Sequence, residues 1–91
     1  MNIQKIFDAL ADDNQNSALG IICKELEDQG YEVVMNGRPV TSDGFYGGEF
    51  PDLEQTTNPL DISLLKGGKV EQTFSLKFID FHEAVIQRSN P

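Results

Sequence analysis

Residues Leu60 to Phe81, LDISLLKGGKVEQTFSLKFIDF, decide the fold, because they read as a β-hairpin (60–79) long enough to floor a small domain. Leu60, Ile62 and Leu64 alternate with Asp61 and Ser63 along the first arm, and Val70, Phe74, Leu76 and Phe78 share one side of the second. That is the period of two expected of a half-buried strand. Opposed residues of an antiparallel pair point to one face, so the pattern also constrains the turn. A two-residue Gly67-Gly68 loop would set Leu64 opposite Glu71 and Ile62 opposite Thr73, mixing the faces. A three-residue loop, Lys66-Gly67-Gly68, pairs Leu64 with Val70, Ile62 with Gln72 and Leu60 with Phe74, with Gly68 left-handed in a bulged turn. The longer loop is therefore expected. One face is then apolar apart from Gln72, while Asp61, Ser63, Glu71, Thr73, Ser75 and Lys77 face water. Leu65 and Ile79 break the polar face and belong at its rim or beneath another element.

Upstream, two stretches supply cover for this hairpin. Ile3, Ile6, Phe7 and Leu10 follow the spacing of one helix face between Asn2 and Ala11. Asp8, Asp12 and Asp13 put negative charge in and just after the last turn, where the helix dipole disfavours it. A second helix is expected from about Ser17, burying Leu19, Ile22, Cys23 and Leu26, with Ala18 and Ile21 widening the stripe and Gly30 as a left-handed stop. Tyr31 to Met35 and Arg38 to Thr41 then form a small hairpin about Asn36-Gly37, with Val33 facing Val40. Pro39 lacks the N–H a ladder needs, so that arm is an edge.

Between the hairpins lies TSDGFYGGEFPDLEQTTNP, Thr41 to Pro59, the least regular part, read as a brief strand over Phe45–Phe50 and a loop from Pro51 to Asn58. No Lys or Arg occurs from Pro39 to Leu65, while Asp43, Glu49, Asp52, Glu54 and Asp61 bring five negative charges. After the main hairpin, Asp80 with Glu83 in capping-box spacing starts a short C-terminal helix lined by Phe81, Ala84, Val85 and Arg88. The alternative is a second arm running on as strand through Ile86; the helix is preferred because alternation fails after Phe78.

The assembled expectation is one α+β domain over residues 1–91, with two N-terminal helices packed on one face of an antiparallel sheet of three to five strands. Ninety-one residues bury roughly 60 to 65% of the unfolded surface, enough for a single core. A net charge of −8 opposes direct binding to a nucleic-acid backbone or an anionic membrane and favours a basic partner. One cysteine excludes an internal disulfide and argues against a Cys-based zinc site. The N-terminus MNIQKIFDALADD lacks the apolar run of a signal peptide and no segment approaches a membrane span, so the expected location is cytoplasmic.

Catalytic signals are thin. Cys23 lies on an apolar helical stripe, where a free cysteine acts as a small hydrophobe, and His82 lies beside Asp80 and Glu83 on the outer side of a helix. Asp12-x-Asn14-x-Asn16 imitates the start of a calcium loop but has Ser17 where Gly is needed and Cys23 where the bidentate Glu belongs, so helix capping is its reading. Gly44-x-x-Gly47-Gly48 and Gly67-Gly68 lack the lysine of a phosphate loop and are turn glycines. No enzyme activity, cofactor or metal site is expected. The expected function is that of a small acidic binding or regulatory protein, of inhibitor or immunity type, acting on a basic protein partner. Phe45, Tyr46 and Phe50 are its candidate anchors, and Asp43, Glu49, Asp52 and Glu54 its steering charges. The alternative is a homo-oligomerising domain that pairs the second arm of the main hairpin as an edge, burying Leu65 and Ile79 between copies. The third reading is a small enzyme using Cys23 and His82.

Overall fold

The computed structural model describes residues 1–13, 15–78 and 84–88. Helix α1, Ile3–Asp12, starts at Asn2, whose side chain accepts from the Lys5 N–H at 3.2 Å, and it buries Ile6 and Leu10. It ends at Asp13, within two residues of where the charge pattern stops it. Helix α2, Ala18–Asp28, is capped by the Ser17 hydroxyl accepting from the Gly20 N–H at 3.3 Å, and Gly30 leaves it with φ +93°. Ala18, Leu19, Gly20, Ile21, Ile22, Cys23 and Leu26 are all buried, because this helix packs on α1 and on the sheet at once.

Among the described residues, five strands form one antiparallel sheet in the order β2-β1-β3-β4-β5. These are β1 Glu32–Met35, β2 Arg38–Val40, β3 Leu60–Lys66, β4 Lys69–Phe78 and β5 Ala84–Arg88. The first hairpin is as read: Val33 faces Val40, and Asn36 and Gly37 have φ +51° and +78°, the left-handed pair of a type I′ turn. Pro39 lies on edge strand β2, opposite Val34. Two further helices, α3 Ser42–Tyr46 and α4 Pro51–Glu54, lie between β2 and β3, so no strand forms over Phe45–Phe50.

The main hairpin departs from the expected register. The loop is the two-residue Gly67-Gly68, with φ +57° and +79°, closed by Lys66 opposite Lys69. Leu65 pairs with Val70, but Leu64 pairs with Gln72, so Glu71 is an extra residue in a β-bulge. Beyond it Ile62 faces Phe74 and Leu60 faces Leu76. Gly68 is left-handed as expected, and so is Gly67, which makes this a second type I′ turn instead of a three-residue loop. The mixed faces of a tight turn are repaired one pair further in, at the bulge. The exchange is favourable, since one ladder hydrogen bond is worth ~1 kcal/mol net while each large apolar side chain put back inside is worth ~1.5–3 kcal/mol. Its cost falls on Val70, which is 57% exposed on the outer face instead of buried beside Leu64.

The C-terminal segment is a second correction. Residues 84–88 form strand β5 along β4, with Leu76 opposite Ile86, where a helix was expected. Residues 84–88 therefore extend the sheet, lying along the Phe74–Phe78 half of β4. Asn14, Ile79, Asp80, Phe81, His82 and Glu83 lie outside the described residues, and with them the proposed cap and the histidine cluster. On the inner face Val33, Met35, Val40, Leu60, Ile62, Leu64, Phe74 and Leu76 meet Ile6, Leu10, Leu19, Ile22 and Leu26 in one core, which leaves the other face of the sheet bare of any described helix.

Candidate functional site

The segment between the hairpins folds because its turn residues act as helix boundaries. Thr41 is extended and its hydroxyl accepts from the Gly44 N–H at 3.0 Å, while Asp43 in the first turn of α3 suits the helix dipole. Gly48, with φ +74°, ends that helix. Pro51 then opens α4, where its missing N–H removes nothing.

Three contacts hold the segment on the body. At its start, the buried Ser42 hydroxyl donates to Glu27 of α2 at 2.5 Å, and the Ser42 N–H donates to the other carboxylate oxygen at 3.2 Å. One turn earlier on α2 is Cys23, whose thiol is pushed up to about 12 by burial first, then by the charge of Glu27 and a hydrogen bond to it. A thiol held protonated in this way is a poor nucleophile. In the middle, the Tyr46 ring lies on Gly20, where a Cβ would come within 2.8 Å of its Cε1. At the far end Phe50 packs on Phe45, with ring centroids 4.9 Å apart and a 59° tilt, and lies across Gly44. Arg38 covers that ring at 5.4 Å and forms an ion pair with Asp52, which holds the Asp52 carboxyl below the usual carboxylate range. The stretch without basic residues thus borrows its cation from β2.

This geometry sorts the seven candidate residues into two groups. Phe45, 2% exposed, belongs to the core, Phe50 is half-buried beneath Arg38, and Asp52 is engaged by Arg38. These three build the segment. Asp43, Tyr46, Glu49 and Glu54 are exposed, and among the described residues Asp43, Glu49 and Glu54 form no ion pair. Tyr46 is 45% exposed, and its hydroxyl titrates above the usual range because of partial burial and then the charge of Asp13. Sequence reasoning missed Glu27, Ser42, Gly20 and Arg38. The Thr41-to-Asp43 and Phe50-Pro51-Asp52 helix starts were the signals that could have found the two short helices.

The charge is divided between the halves of the chain. Residues 1–59 carry eleven acidic and three basic side chains, and residues 60–91 carry four of each, so the whole net charge of −8 resides in the first part, which includes the four described helices. Two of its three cations are engaged, Lys24 with Asp28 at 2.9 Å and Arg38 with Asp52. The Asp12 to Asn16 joint is organised about Asp13, whose carboxylate accepts from the Gln15 and Asn16 N–H groups at 3.1 Å each and from the Asn16 side chain at 2.6 Å. Among the described residues, no three His, Cys, Asp or Glu side chains gather to hold a metal ion, and no helix is long and apolar enough to cross a membrane. No protein-family model, curated protein or solved structure matches the chain.

Proposed function

We propose that this is a small cytoplasmic binding or regulatory protein without catalytic activity, of inhibitor or immunity type, that acts on a basic protein partner through the outer side of the segment 41–59. The observation carrying the reading is the division of charge: the excess of acid falls entirely in residues 1–59. Its contact surface is Tyr46 with Asp43, Glu49 and Glu54, exposed on a segment that Glu27, Gly20 and Arg38 fix to the body. An exposed aromatic supplies binding energy at low entropic cost, and unpaired acids around it speed encounter with a cationic surface. The test is capture of partners from an extract at low and moderate salt, using the wild type and the Asp43→Asn/Glu49→Gln/Glu54→Gln variant. A partner retained by the wild type at low salt, weakened by moderate salt and lost from the variant supports the proposal; equal retention by the variant sinks the role of the segment.

A second reading, self-association, is favoured by the exposure of Val70 on the face of the sheet that no described helix covers. Along β4, β5 takes up Phe74–Phe78, so edge pairing by this strand would fall to its Lys69–Thr73 half.

A further inference from the structure

The first hairpin carries a reactive pair of residues outside the contact surface. Of the asparagines in the sequence, only Asn36 precedes a glycine, and Gly37 has no side chain to hinder attack by its own nitrogen. Both residues are exposed, and a Cβ at Gly37 would meet nothing within 4 Å, so water reaches the turn. Asn36 is also bound twice to one residue of β3. Its N–H donates to the Asp61 carbonyl at 2.8 Å, and its Oδ1 accepts from the Asp61 N–H at 2.9 Å. The side-chain oxygen stands where a continuing strand would offer its main-chain carbonyl, and it carries the β1–β3 ladder one pair past Met35 and Ile62.

We infer that Asn36 is a site of spontaneous deamidation gated by the fold, closed while the hairpin is formed and reactive when it opens. In the reaction the Gly37 nitrogen gives its proton to water and attacks Asn36 Cγ, forming a new C–N bond. The bond from Cγ to the side-chain nitrogen breaks, and that nitrogen takes up a proton and leaves as ammonia. Water then adds to either carbonyl of the resulting cyclic imide and cleaves one of its C–N bonds, giving aspartate or isoaspartate at position 36. Asparagine and water thus become an acidic residue and ammonia, with no change of oxidation state. The formed turn blocks the first step. A type I′ turn holds ψ of its first central residue at about +30°, so the next nitrogen lies nearly opposite Cβ across the Cα–C bond and the ring cannot close. The Asp61 N–H adds a second restraint by holding the amide on the β3 side. The gate opens locally, because β2 is an edge strand of three residues paired on one side, which places it at the low end of local stability.

The test follows conversion of Asn36 by peptide mass spectrometry during incubation of the full chain at neutral pH, in native buffer, in urea, and as the Val40→Ala variant in native buffer. Val40 is buried opposite Val33, so shortening it loosens the hairpin without touching the reacting pair. Asn36 should convert fastest in urea and at least about tenfold more slowly in the native protein, a barrier difference of ~1.4 kcal/mol. The variant should fall between them while its thermal melt shows that it remains folded. No conversion in urea overturns the site, and equal rates in urea and native buffer overturn the gate, whether or not the variant folds. A folded variant that converts no faster than the wild type overturns local opening of this hairpin as the route.

Discussion

Gly44 and Gly20 set how closely the 41–59 segment approaches the body, and they differ in what a methyl group would meet. At Gly44 a Cβ would come within 2.5 Å of Phe50 Cε2, on a ring wedged between Phe45 and Arg38; at Gly20 it would meet the edge of the solvent-facing Tyr46 ring. Helix propensity alone favours Ala over Gly by ~1 kcal/mol, whereas overpacking a wedged ring costs ~1–3 kcal/mol. Gly44→Ala should therefore destabilise the protein by about 1 kcal/mol in urea unfolding, and a gain in stability would show that Phe50 is not held there. Cys23 offers a pH signature. Its folded value, raised from 9.0 to about 12, means that the folded chain keeps a proton the unfolded chain releases, so this contribution is complete below pH 9 and lost between pH 9 and 12. Cys23→Ala should flatten the loss of stability across that window, and a thiol reagent should label the wild type only after denaturation. Asp52 has the opposite sign: its lowered value gives a contribution present above its ordinary 3.8 and lost as acid protonates the folded carboxylate. The pair is solvent-exposed, so Asp52→Asn should alter the acid limb only slightly.

At the scale of elements, both hairpins use a type I′ turn, but Asn36-Gly37 announces it and Gly67-Gly68 does not. Since Asn36 already occupies the first left-handed position in one turn, Gly67→Asn should be neutral or mildly stabilising, while Gly68→Val should cost about 1–2 kcal/mol for its strained φ. Deleting Glu71 is the sharper test. Val70 would still face Leu65 and Gln72 would still face Leu64, so the shortened chain should fold with the same core and melt at or above the wild-type temperature. The helices, the first hairpin and the inward set Leu60, Ile62, Leu64, Phe74 and Leu76 were legible in sequence because periodicity and caps state them directly. The bulge was not, because a bulge arises from competition between turn geometry and burial, which alternation cannot register. The helices α3 and α4, of five and four residues, are too short to display a period, and what fixes them, Glu27, Gly20 and Arg38, lies elsewhere in the sequence. The 84–88 strand was missed because its hydrogen bonds go to a neighbour, so its residues carry no helix-excluding signal of their own.

For the whole molecule, the excess of acid falls in residues 1–59, while residues 60–91 carry four acidic and four basic side chains. Of the seven residues that composition placed in a binding surface, Phe45 and Phe50 are drawn into the fold and Asp52, though exposed, is held by Arg38, which leaves Asp43, Tyr46, Glu49 and Glu54; composition conveys neither burial nor pairing. The central claim is that location, and not bulk charge, makes the 41–59 segment a contact surface. The most direct measurement compares affinity for the captured partner between two variants that each remove three negative charges: Asp43→Asn/Glu49→Gln/Glu54→Gln on the segment, and Asp8→Asn/Asp12→Asn/Glu71→Gln elsewhere. The first should weaken binding by at least about tenfold, or ~1.4 kcal/mol, and the second by no more than about twofold. Equal losses from the two variants would contradict the claim.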